Sequence, residues 1–75
     1  MVQIFGTVER SFTEEDSQFT TFRIPAFSKA IARQRAKANA RIKGLSNFTL
    51  SNVEEAGSGD IPGQTLYDVV VESDR

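Results

Sequence analysis

Residues 27–45 read FSKAIARQRAKANARIKGL, and the fold turns on how that stretch is read. Alanine and long unbranched side chains favour a helix. Ser28 stands where an N-cap side chain takes up a free backbone N–H. Gly44 stands where a left-handed residue closes a helix, with Arg41 and Lys43 in the last turn against the negative end of the dipole. At 3.6 residues per turn, Phe27, Ile31, Ala38, Ile42 and Leu45 fall on one stripe, expected to pack on a sheet. Lys29, Arg33 and Lys37, with Ala36 and Ala40, fall opposite and are expected to face solvent. The stretch holds six cations and no anion.

Before the helix, residues 2–12 alternate, a period-two pattern rich in Val, Ile and Phe that predicts a strand. Val2, Ile4, Val8 and Phe12 take one face. Gln3, Thr7, Glu9 and Ser11 take the other, with Phe5 breaking the pattern. Gly6 marks a bulge or a close backbone approach. TEEDS, residues 13–17, is a turn. Residues 18–24 form a second strand, with Phe22 and Ile24 inward and Phe19, Thr21 and Arg23 outward; Pro25 ends it.

After the helix, residues 47–53 predict a short strand anchored by Phe48 and Leu50. Residues 54–64, containing GSGDIPG, predict a flexible hairpin connection. Residues 66–72 predict the last strand. There Tyr67, Val69 and Val71 share one face, and Leu66 and Val70 share the other with Asp68 and Glu72. The expectation is one α+β domain over residues 1–75, in the order β-β-α-β-β. It is a four-stranded antiparallel sheet with one amphipathic helix on one face. A right-handed crossover passing over the first strand gives the expected spatial order 2-1-3-4.

Composition narrows the chemistry. The chain has 75 residues with no Cys and no His. Disulfides, zinc fingers and His-based metal sites are thereby excluded, and no metal or cofactor is expected. A domain this small has a thin stability margin, which leaves self-association as the available reinforcement. MVQIFGTVER carries no basic segment followed by an apolar core, and no apolar run reaches membrane-spanning length. The expected setting is therefore cytoplasmic, away from membrane. The net charge of −1 conceals segregation: residues 23–43 carry seven basic side chains and no acid.

Two surfaces follow. The sheet face away from the helix would carry Phe5, Phe19, Leu66 and Val70. That is more apolar than a solvated face needs, and it has two readings of equal weight: scattered surface hydrophobes, which are ordinary, or an interface, most simply a homodimer packed sheet on sheet or edge on edge. On the helix, Lys29, Arg33, Lys37 and Arg41 recur every fourth residue, roughly 6 Å apart. Like charges so spaced destabilise a helix mildly, which argues for contact with an acidic protein surface or with nucleic-acid phosphates. The plainer explanation is a solvated face whose cations pair with Glu14, Glu15 or Asp16. Gln34 and Asn39 lie on the helix, but no helix-turn-helix partner or RNP-type aromatic pattern accompanies them, and the pI near 5.3 is low for a nucleic-acid binder.

The acidic turn lacks a calcium-loop pattern. GSGDIPG leads into a strand rather than a helix N-terminus, so it is no phosphate cradle. Without His or Cys, catalysis would need a Ser or Thr nucleophile with a Lys, Asp or Glu base in a concave site, which a single sheet with one helix hardly offers. The reading is a small non-catalytic binding module that self-associates and meets an acidic protein. The alternative is a binder of nucleic-acid phosphates.

In layout, the β-β-α-β order over residues 1–56, the basic helix closing in Gly44 and the following NFTLSNVEEA resemble the ribosomal large-subunit family called LX. That family's basic run after the helix glycine is replaced here by LSNFT, and the final strand TLYDVVVES is additional. The resemblance therefore carries layout and no ribosomal role.

Overall fold

The computed structural model describes residues 4–74; the expected strand positions at Val2 and Gln3 lie outside them. The order is β1 (Thr7–Glu14), β2 (Ser17–Ala26), α1 (Lys29–Lys43), β3 (Thr49–Ser58) and β4 (Thr65–Asp74). All three strand pairs are antiparallel. This is the expected α+β fold, with one four-stranded sheet and one helix.

The spatial order is β1-β2-β4-β3, which corrects the expected 2-1-3-4. Apolar content explains the difference. β2 and β4 hold the buried side chains Phe22, Ile24, Ala26, Tyr67, Val69 and Val71, so they take the centre. β1 is exposed along its whole length and β3 is only intermittently covered. Polar strands at the edges suit a sheet whose rims meet water. Helix α1 carries the chain from β2 across β4 to β3, so β2 and β3 run parallel with β4 between them.

The faces of β2 and β4 follow the alternation read from sequence. Phe22, Ile24, Tyr67, Val69 and Val71 lie under the helix, while Phe19, Arg23, Leu66, Asp68 and Val70 lie on the open face. β1 departs from it. Its register shifts between Val8 and Arg10, so Val8 pairs with Phe22 but Phe12 pairs with Phe19. One extra residue moves everything after it to the opposite face. Phe12, expected in the core, instead stacks on Phe19 on the open face, ring centroids 5.0 Å apart.

Pro25 lies within β2, opposite Leu66 of β4. β1 begins opposite Arg23, so at Pro25 the strand has a neighbour on one side only. A residue without an N–H is tolerated there. At the entry to β1, Gly6 has φ +72°, and a Cβ there would stand 2.0 Å from the Arg23 carbonyl oxygen. That is the close backbone approach the sequence suggested.

The helix ends are as read. The Ile31 N–H donates to Ser28 Oγ at 3.2 Å, and Gly44, at φ 77°, donates its N–H to Ala40 and Arg41 carbonyls. Its orientation is not as read. The buried side chains are Ala32, Ala36, Asn39 and Ala40, a face rotated roughly 140° from the expected stripe at 3.6 residues per turn. Phe27 is 56% exposed and Ile42 39%; Ile31 and Leu45 pack only at the margin of the core. Small side chains let the helix backbone approach the sheet, where Phe22, Tyr67 and the valines supply the volume. The placement of Ala36 and Ala40 toward solvent is thereby corrected.

Candidate functional site

Turning the alanine face to the sheet brings the cations, read from sequence on the same side as Ala36 and Ala40, to the flank of the buried face, where they still reach solvent. Lys29, Arg33, Lys37 and Arg41 are all exposed. Among the described residues both salt bridges belong to Arg23, and none reaches the helix. The simpler explanation, in which loop acids neutralise this row, does not describe the arrangement within these residues. Acids Glu14, Glu15 and Asp16 instead line a shallow open depression with Ser17 and Phe19 at the β1–β2 turn.

The row is not uniform. Arg41 leans over the Phe48 ring, its guanidinium carbon 5.9 Å from the centroid, so part of its role is to hold the start of β3. Lys29, Arg33 and Lys37 have no such intramolecular contact among the described residues. Arg35, the remaining arginine of the helix, faces another task. It donates to the Pro25 carbonyl and lies over the Phe5 ring at 5.3 Å, tying the helix to the segments flanking β1 and β2.

Asn39 completes that tie. It is fully buried, accepts the Phe5 N–H through Oδ1 at 2.7 Å and donates through Nδ2 to the Phe5 carbonyl at 2.9 Å. A side-chain amide thus acts as a strand partner for one residue of backbone that has no ladder of its own. This residue was weighed by sequence only as a polar group on a basic helix. The signal that could have singled it out is its place among Ala32, Ala36 and Ala40, at the spacing of one buried face.

The same contacts correct the placement of Phe5. It does not share the open sheet face but sits beside the helix, under Arg35 and bonded to Asn39. Phe19, Leu66 and Val70 do face the open side of the sheet, each half-buried, but spread along it. The sequence did not foresee what separates them. Arg23 donates two hydrogen bonds to Asp68, at 2.9 and 3.1 Å, and forms a salt bridge to Glu9 at 2.9 Å. Three strands are joined by one guanidinium. The hydrogen bonds to Asp68, and then the charges of Asp68 and Glu9, raise the Arg23 pKa against the opposing pull of desolvation.

The molecule is therefore two-sided. Cations project from the helix, while Glu9, Glu54, Asp68 and Glu72 share the open face of the sheet with Phe12, Phe19 and Val70. No helix of the described residues is long and apolar enough to cross a membrane. Comparison with protein-family models, with curated proteins and with solved structures finds no match.

Proposed function

We propose that this domain is a non-catalytic binding module that presents the helix cations Lys29, Arg33 and Lys37, with Arg41 at their edge, to an acidic surface of a partner protein, and that it self-associates through its sheet. The observation that carries the first part is the division of the helix. One face is committed to the core through alanines and Asn39. Along the flank that adjoins Ala36 and Ala40 runs a row of exposed like charges with no counter-ion among the described residues. Such a row lowers helix stability unless an external anion meets it.

An acidic protein is favoured over nucleic acid because the cations come from one element. Acids occupy the open face and the β1–β2 turn, where a long phosphate backbone would meet repulsion. A cytoplasmic setting fits a small domain without cysteine, since small secreted domains are commonly stapled by disulfides.

The test is a titration with poly-glutamate, random-sequence duplex and single-stranded DNA, each at low and then moderate salt. The proposal expects poly-glutamate to bind at least as tightly as either DNA, with affinity falling as salt rises. Tighter binding to DNA, weakening linearly in log salt, would replace it with the phosphate-binding reading. No binding to any of the three at low salt would reduce the helix face to solvated surface.

A further inference from the structure

Self-association leaves open which part of the sheet meets the second copy. The open face is poorly suited to dry packing against another sheet, because the Glu9, Arg23 and Asp68 cluster lies in its middle and burying it would strip water from three charges. The edges remain. β3 is interrupted twice, with register shifts at Leu50/Asn52 and Glu55/Gly57. Its adjacent Glu54 and Glu55 would oppose like charges in a self-pairing. Both features discourage docking at that edge.

β1 is different. Its single shift falls between Val8 and Arg10, and residues 10–14 then pair regularly with β2 up to the turn. Their outer edge meets no strand among the described residues. These residues read Arg-Ser-Phe-Thr-Glu, a sequence whose chemistry is symmetric about Phe12. Basic and acidic ends stand at equal distances from the aromatic ring, and Ser11 and Thr13 flank it. Arg10, Phe12 and Glu14 share the open face. Neither Arg10 nor Glu14 has an ion-pair partner among the described residues. Phe12 remains 44% exposed despite its stack on Phe19.

We infer that the occupant of this edge is a second copy of the chain, paired antiparallel through β1 about a two-fold axis at Phe12. In that register Phe12 lies opposite Phe12 of the second copy, and Ser11 opposite Thr13. Arg10 lies opposite Glu14, and Glu14 opposite Arg10. The same surface serves both copies, as a two-fold interface requires. The Phe19 and Phe12 stack continues into its symmetry mate as a row of four rings across the strands, with an Arg10–Glu14 ion pair on either side of the central Phe12 pair. Two four-stranded sheets become one of eight, the Arg23 cluster stays in water, and both helices lie on the same side with their cations exposed. The inference rests on the self-association proposed above and specifies its edge and register.

Light scattering over a concentration series, on the full chain and on three variants, tests it. The expected result is a dimer for the native chain. Arg10→Glu and Glu14→Arg should each raise the dissociation constant about tenfold or more, since each turns two attractive cross-strand pairs into repulsive ones. The double variant Arg10→Glu/Glu14→Arg should recover the native value. Both positions are exposed, so each variant is expected to keep the native fold, checked by circular dichroism alongside; the unfolding midpoint of a dissociated single variant falls only by the stabilisation the dimer supplies. A native dimer indifferent to both single reversals, or a double variant that stays dissociated, overturns the β1 register while leaving self-association standing. A native chain monomeric throughout overturns self-association itself.

Discussion

Asn39 and Gly6 hold the entry to β1 by opposite means. Asn39 supplies two hydrogen bonds to a backbone that has left the sheet; Gly6 lets that backbone pass against the Arg23 carbonyl with φ +72°. Asn39→Ala removes both bonds and leaves the Phe5 N–H and carbonyl without them. The expected loss is about 1–3 kcal/mol in denaturant unfolding, although Ala is the better helix former. An unchanged midpoint would mean that Phe5 is not tethered as described. Gly6→Ala places a methyl group where the Arg23 carbonyl already stands and forces a side chain into the left-handed region. A loss of about 1–3 kcal/mol is expected, with faster hydrogen exchange at the Phe5 amide. Slow exchange with native stability would contradict the close approach.

At the scale of the element, the helix is where sequence and structure part. Its ends were legible because capping is local: Ser28 and Gly44 act on backbone groups within one turn. Its rotation was not, because a hydrophobic stripe assumes that the larger apolar residue goes inward. Here β2 and β4 already fill the core with Phe22, Ile24, Tyr67 and the valines, and the space left for the helix admits alanine. Two substitutions separate the orientations. Ala36→Leu forces three extra carbons against the sheet and should cost about 1–3 kcal/mol. Ala38→Leu, on the outer flank, should change stability by less than about 0.5 kcal/mol. The stripe read from sequence predicts the reverse order. The strand faces of β2 and β4 were legible through strict alternation. Phe12 was not, since nothing in TVERSFTE announces the extra residue that flips it, and a bulge depends on the neighbouring strand. The same limit explains Phe5, whose partners come from the helix rather than the sheet.

At the scale of the whole molecule, the net charge of −1 is the sum of two unlike sides. The helix keeps its alanine face for the fold and its cations for solvent; the open sheet face gathers acids around Arg23. The central claim is that the helix cations serve binding and not folding. It is tested most directly with the variant Lys29→Glu/Arg33→Glu/Lys37→Glu, by measuring affinity for poly-glutamate at low salt beside the thermal unfolding midpoint. The account predicts that binding falls by at least about a hundredfold, three reversed charges each removing an attraction of the order of 1 kcal/mol. The midpoint is predicted to stay level or rise, because the 37–41 pair becomes attractive and negative charge suits the first turns of the helix, while the 29–33 and 33–37 pairs stay like-charged. Retained binding, or a domain that no longer folds, would contradict it.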